Sequence, residues 1–288
     1  MSRIAYVNGR YLPHAAARIH VEDRACQFGD AAYEVIAVRQ GRPIDEAMHL
    51  KRLARSLGEL RIAAPMSDRA LGVVMRELVR RNRIGDASLY LQVSRGVAPR
   101  DFAFPKGVRP SLVMTARRSR GPDPRQIEEG VGVITLADQR WARPDIKSVS
   151  LLPNALGKQR AREAGAYEAW QVDREGNVTE GTSSNAWIVT AAGEVVTRPA
   201  DTHILNGVTR LGLIGLLGRE GLRLVERPFS VTEAKAAREA FLTSTTNFVL
   251  PVVSIDGVAI GNGHPGSITR RLRQAYDAYV AAQARRTS

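Results

Sequence analysis

The sequence predicts a mixed α/β chain of two domains, on three observations. Segments in which apolar residues alternate, as in strands, are interspersed with one in which leucines recur at helical spacing. The length, 288 residues, allows a large core and two domains. A polar, turn-rich stretch, RRSRGPDP at 117–124, lacks an apolar period and precedes a second β-rich region. These features place one domain at 1–117, a linker at 118–124 and a second domain at 125–288.

Each element has a local reason. Asn8-Gly9 is a two-residue turn between alternating segments, so residues 4–12 read as a hairpin. Gly29-Asp30 marks a loop, and Tyr33 to Val38 a strand that turns near Gln40-Gly41. From Glu46 the pattern is helical, with Leu50, Leu53, Leu57 and Leu60 on one face and Arg52 beside it. Ser67 suits the N-cap of a second helix reaching Asn82, and strands follow at 88–94 and 111–116. In the second domain a strand covers 131–136, and Lys147 is expected at or near the end of the next. Ala155 to Ala164 reads as a helix with Lys158 in solvent. Strands at 167–172 and 178–189, the latter interrupted at Gly181, flank a turn at 174–177. Asn206-Gly207 turns into a helix from Val208 to Arg219 that stops at Gly221. Ser230 with Glu233 forms a capping box; a strand from Ala240, a hairpin at Asp256-Gly257 and a helix from Ser267 complete the chain.

Composition narrows the function. With 44% hydrophobic and 25% charged residues the chain is ordinary for a folded soluble protein, so no long disordered part is expected. The N-terminal MSRIAYVNGRYLP has no continuous apolar run, which argues against a signal peptide. The longest apolar helical run, Leu211 to Leu217, is too short to span a bilayer. Cys26 is the only cysteine, so an intrachain disulfide is excluded and a reducing, cytoplasmic setting is expected. The net charge of +13 draws on arginine clusters at 80–83, 117–120, 270–273 and 285–286. They are scattered and lack interleaved aromatics, so they read as solvated faces rather than a nucleic-acid platform. An RNA-binding protein is the rival from another class that this charge suggests. The five histidines are dispersed, without metal-ligand spacing.

The chemistry concentrates in residues 143–189. Lys147 follows Ile146 and precedes the apolar Val149-Ser150-Leu151-Leu152, and Glu180 opens a Gly-Thr-Ser-Ser-Asn segment leading into Ala186-Trp187-Ile188-Val189. Apolar surroundings disfavour a lysine's charged form, leaving an amine able to form a Schiff base with a carbonyl cofactor, usually pyridoxal phosphate. That cofactor also needs a phosphate cradle, ring packing and an acid opposite its pyridine nitrogen, for which Glu180 is the candidate. Val208 and Thr209, at a helix start after Gly207, would present free N–H groups to an anion. Hydroxyls at Ser244-Thr245 suit phosphate oxygens.

The strings DIKSVSLLPNALGKQ, YEAWQVD, VTEGTSSNAWIV and ILNGVTRLGLI together resemble the class IV pyridoxal-phosphate aminotransferases, most of all the D-amino acid aminotransferases. The likeness runs from Asn8-Gly9 to beyond Thr245. It implies a small N-terminal α/β domain, a larger β-barrel-like C-terminal domain with helices, and a homodimer with pyridoxal 5'-phosphate in the cleft between domains. It implies that Lys147 carries the Schiff base and moves the proton between substrate Cα and cofactor C4′, in ping-pong transamination of D-alanine, D-glutamate or D-aspartate with an α-keto acid. Glu180 would keep the pyridine nitrogen protonated and Leu205 pack on the ring. Arg52, in the string HLKRL, would bind the phosphate with Val208, Thr209, Ser244 and Thr245. Tyr33, Arg100 and Ser183 would face the substrate. Family members hold the substrate carboxylate with an arginine and a histidine two residues apart; here Arg100 matches, but Phe102 replaces the histidine. Branched-chain L-amino acid aminotransferases, (R)-amine transaminases and aminodeoxychorismate lyase are the alternatives sharing the fold. The string Tyr33-Glu34-Val35-Ile36-Ala37-Val38, without a glycine after the glutamate, sides with the D-specific group.

Overall fold

The computed structural model describes residues 3–119 and 121–285. Arg120, in the expected linker, and Arg286, in the last arginine cluster, lie outside the described residues. The chain forms two compact units: Met1–Arg120 with Ile146–Ser150 and Val280–Ser288, and Gly121–Asp145 with Leu151–Tyr279. The segment carrying Lys147 therefore belongs with the first unit, a division that no linear boundary expresses.

In the first unit β1 (Ile4–Val7) and β2 (Arg10–Pro13) form the hairpin around Asn8-Gly9. Then come the short helix α1 (Arg24–Phe28), β3 (Ala31–Arg39), β4 (Arg42–Pro43), α2 (Glu46–Glu59), α3 (Asp68–Asn82), β5 (Ala87–Ser94) and β6 (Ser111–Arg118). The strands pair antiparallel in the order β2-β1-β6-β5-β3-β4. Strand alternation puts Ile36, Val38, Leu89, Leu91 and Met114 on one face, where they bury against Leu53, Leu57, Met75 and Leu78 of α2 and α3. Ser67 caps α3 by accepting from Ala70 N–H, and Arg83, at φ 53°, ends it in the left-handed conformation. The Lys147 segment forms no strand of its own. It lies along the edge of β3 that β5 leaves free, with Tyr33 N–H donating to Lys147 C=O (3.0 Å) and Val149 N–H to Ala31 C=O (3.0 Å).

The second unit opens on α4 (Pro124–Glu129), capped by Asp123. The expected linker is thus taken up by secondary structure at both ends, since β6 runs on to Arg118. Next come β7 (Val131–Ala137), α5 (Leu152–Glu163), β8 (Glu168–Val172), β9 (Val178–Gly181), β10 (Asn185–Val189), β11 (Val195–Thr197), α6 (Val208–Leu217) and β12 (Leu224–Glu226). The unit closes with α7 (Val231–Lys235), β13 (Glu239–Ser244), β14 (Phe248–Ile255), β15 (Val258–Ala259) and α8 (Ser267–Arg285), whose last turns belong to the first unit. The mixed sheet, ordered β12-β11-β10-β13-β14-β7-β8-β9 with β15 on β14, curls as a half-barrel around Val133, Trp170, Ile188, Phe229 and Leu242.

Several local expectations are corrected. The helix α5 starts at Leu152, because Pro153 in its first turn needs no backbone partner. Lys158 is half-buried: its ammonium donates to Tyr167 C=O and lies 4.2 Å above that ring's centre, and burial pushes its pKa down. The helix α6 ends at Leu217 rather than Arg219. Ser230 does cap α7, but Glu233 pairs with Arg227 instead of reaching back, so the capping box is half made. The short elements α1, β4, β11 and β12 carry too few residues for a readable period.

Gly96 generates a stability prediction. Its φ is +110°, and a Cβ there would lie 2.1 Å from the Arg109 carbonyl oxygen. Gly96→Ala is expected to lose about 3 kcal/mol or more in denaturant unfolding, from backbone strain added to a clash with main chain.

Candidate active site

In the first unit the edge pairing on β3 sets the lysine. Ala32 bridges Ser148, so the backbone of Lys147 is held beside Tyr33. A third bond comes from α2, where Ser56 Oγ accepts from Lys147 N–H (3.1 Å). The half-buried Lys147 Nζ then lies 3.4 Å from Tyr33 Oη and 4.4 Å above that ring. Tyr33 stacks on Tyr90, their centres 5.7 Å apart. Burial, then Tyr33, pushes Tyr90 up to about 12, so its hydroxyl keeps its proton and donates to Gln92 Oε1 (2.7 Å).

On the opposite face of β3, Glu34 is fully buried and receives both forks of Arg52, Nε to Oε1 and Nη2 to Oε2, each at 2.8 Å. His49 Nδ1 stands 2.8 Å from Oε2. Burial alone would raise the Glu34 pKa; the Arg52 charge and the two hydrogen-bonding partners overrule it and bring it to about 2. Burial lowers the His49 pKa, so the ring is neutral at pH 7 and Nδ1–H is the donor to Glu34. Arg52 and Ser56 are one helical turn apart on α2, so the guanidinium and the contact to Lys147 share a helix face. Arg100 is placed elsewhere, on the exposed loop after β5, its guanidinium 4.7 Å over Phe28 and 5.9 Å over Phe102.

The second unit gathers the remaining residues. Glu180, at the end of β9, is buried, and both its oxygens accept from Leu205 N–H at 3.1 Å. Asn185 Nδ2 donates to Glu180 (3.0 Å) and to Leu205 C=O (2.9 Å), tying acid and leucine together. Arg140 pairs with Glu180, its own orientation fixed by Asp138 at 3.0 and 2.6 Å. Burial raises the Glu180 pKa, and Arg140 and the Leu205 N–H pull part of that rise back.

Three residues beyond Leu205, Val208 and Thr209 open α6, whose N-cap Gly207 brings no side-chain cap. Consecutive Cα atoms are about 3.8 Å apart, so this helix start lies within roughly 11 Å of the backbone held by Glu180. Gly207 is required there, since a Cβ would meet Asn185 Oδ1 at 2.1 Å. Ser244 ends β13 next to Thr243, which pairs with Asn185, and Thr245 begins the turn that follows. Ser244 Oγ accepts from Asn247 N–H (3.3 Å). The hydroxyl of Ser183 is committed inward, donating to buried Glu168 at 2.6 Å.

Sequence reasoning missed Glu34, His49, Ser56, Asp138 and Arg140. Glu34 had one readable signal, a charge at the alternation phase that buries. Arg140 had another, an acid–base pair two residues apart just after a strand.

The chain is similar to known proteins over nearly its whole length. Residues 31–255 match the sequence pattern of the family described as amino-transferase class IV. A D-alanine aminotransferase of Bacillus licheniformis is 40% identical over 280 residues, 97% of this chain and 98% of that protein. One from Staphylococcus haemolyticus is 35% identical over 96% of this chain and 98% of its own. Among solved structures, the T.th. branched-chain amino acid aminotransferase with pyridoxamine 5'-phosphate superposes with a TM-score of 0.90. It is 25% identical and covers 98% of this chain and 95% of its own. The Escherichia coli branched-chain enzyme, at 0.90 and 23% identity over 98% of this chain and 96% of its own, shares the fold.

The depressed Glu34 pKa has a definite pH signature. Its carboxylate contributes stability above the ordinary value of 4.5 and loses it as pH falls towards about 2. The shift corresponds to something on the order of 3 kcal/mol. Glu34→Gln is expected to lower Tm at pH 7, and the gap to the parent should narrow steadily below pH 4.5 in thermal melts.

Proposed function

Because the chain belongs to the class IV aminotransferases, enzymes that work with pyridoxal 5'-phosphate, we propose that it transfers amino groups between D-amino acids such as D-alanine, D-glutamate and D-aspartate and α-keto acids. The observation that carries the D-specific reading is the near full-length likeness to D-alanine aminotransferases, against the lower identity to branched-chain enzymes of the same fold.

The residues present fit the cofactor. The uncapped start of α6 offers N–H groups to a dianionic phosphate, and the buried Thr209 adds a hydroxyl. Glu180 offers a buried carboxylate to a pyridine N–H. Leu205, Val208, Thr209, Ser244, Thr245 and Arg52 would hold the group together with Lys147 and Glu180. When bound, the cofactor supplies a carbonyl carbon that condenses with amines and a ring that accepts electrons from the substrate Cα. Lys147 Nζ would hold that carbon and would serve as the acid and base that handles the substrate Cα proton. Tyr33 Oη, within hydrogen-bonding reach of Nζ, orients the amine. Glu180, oriented by Leu205 and Asn185, would be the acid that faces the ring nitrogen.

Arg100 receives the substrate carboxylate alone, because Phe102 stands where family members place a histidine. The Phe102 side chain is exposed beside Arg100, which favours (R)-amines as a second substrate class. Ser183, expected to face the substrate, is left out of the substrate-facing set, because its hydroxyl and N–H both donate to Glu168. A homodimer in the cytoplasm is part of the same proposal.

The direct test is the visible spectrum of the cofactor-loaded protein after addition of D-alanine or of L-leucine. Conversion to the pyridoxamine form by D-alanine only is expected; conversion by L-leucine only would overturn the D-specific reading. Lys147→Ala is expected to cut turnover more than about 10⁴-fold in single-turnover assays. Arg100→Ala is expected to raise KM for amino acids at least about tenfold with kcat within a few-fold, since a charge-assisted bond made equally to substrate and transition state is lost.

A further inference from the structure

Beneath the loop that carries Arg100 lies a buried cation without a role in the chemistry above. Residues 99–104 are exposed and without regular structure. Arg24, on α1 and 3% exposed, extends its guanidinium under them. Its Nη1 donates to the carbonyls of Asp101 (2.5 Å) and Ala103 (3.4 Å), and Nη2 approaches that of Phe102 (3.5 Å). Nε is held by Asp30 at 2.7 Å. Asp30 also binds Arg95, at 2.7 and 3.0 Å. Arg95 in turn donates to the carbonyls of Leu60 and Arg61 that end α2, and its guanidinium lies 3.6 Å from the centre of the Phe104 ring. The loop's entry is tied to the same element, since Arg24 N–H donates to Gly96 C=O at 2.9 Å.

We infer that Arg24 is a positioning residue for substrate recognition: its fork locks the peptide planes of residues 101–103 and so pre-orders Arg100 for a carboxylate. The inference rests on the proposed role of Arg100. Three successive carbonyls on one planar cation leave the loop no rotation that keeps all contacts. An ordered loop spares the entropy that an exposed segment of this length would lose on binding. A lysine could satisfy Asp30 as a point charge, yet it has no fork to span three carbonyls.

The test is Arg24→Lys, with two readouts. In the apo protein, tryptic cleavage after Arg100, followed by mass spectrometry, is expected to accelerate about tenfold. In the loaded enzyme KM for D-alanine should rise about tenfold, with kcat within about threefold, and in an Arg100→Ala background the same substitution should leave KM unchanged. Equal cleavage rates, a fall confined to kcat, or a full KM effect without Arg100 would each overturn the inference. Should Arg24→Lys fail to fold, Asp101→Gly loosens the loop while leaving the buried cluster intact; the same signature is expected, and unchanged cleavage and KM would overturn the inference. A parent enzyme inactive towards D-alanine would instead count against the proposed function, while the cleavage readout still decides whether Arg24 orders the loop.

Discussion

A carboxylate taken out of water must be met by donors at every oxygen, and this constraint organises the molecule. Among the described residues four glutamates are 5% exposed or less: Glu34, Glu168, Glu180 and Glu239. Each gathers donors from elements distant in sequence. Glu34 draws in Arg52 and His49 of α2; Glu168 draws in Thr182, Ser183 and Ser184. Glu180 collects Leu205, Asn185 and Arg140, and Glu239 takes Ile268 and Thr269 at the start of α8. Removing a single donor would leave a buried charge uncompensated, which costs far more than the bond itself is worth.

The same constraint places the chemistry. Glu168 folds the residues between β9 and β10 into a tight turn, and Gly181 is needed because a Cβ would lie 2.9 Å from Glu168 Oε2. That turn sets the spacing between Glu180 and Asn185, so both reach Leu205. In the first unit, Glu34 holds α2 in a fixed rotation against β3, which leaves Ser56 beside the segment carrying Lys147. The lysine backbone is positioned by bonds to a sheet edge, which fixes its Cα without engaging the side chain.

How much of this was legible follows from the range of the interactions. Local signals carried the hairpin at Asn8-Gly9, the leucine face of α2, the Ser67 cap and the strand break at Gly181, because turn chemistry and apolar period act between near neighbours. Local signals also misread Lys158, whose apolar stem and ammonium are claimed by Tyr167, and Glu233, whose carboxylate is taken by Arg227. The candidate residues themselves were found through motif strings, which preserve residue type and order and say nothing of partners.

The sequence by itself therefore determined the family and the fold class and put forward the candidate reactive groups, Lys147 and Glu180 foremost, since these depend on side-chain chemistry and order along the chain. Only the tertiary structure decided which polar groups meet: Arg52 with Glu34, Arg140 with Glu180, Arg24 with the carbonyls of 101–103, and Ser183 with Glu168. It also decided that residues 146–150 fold with the first unit. The physical reason is that electrostatic pairing and edge strand addition depend on proximity in space, and both join residues whose separation along the chain carries no periodic trace.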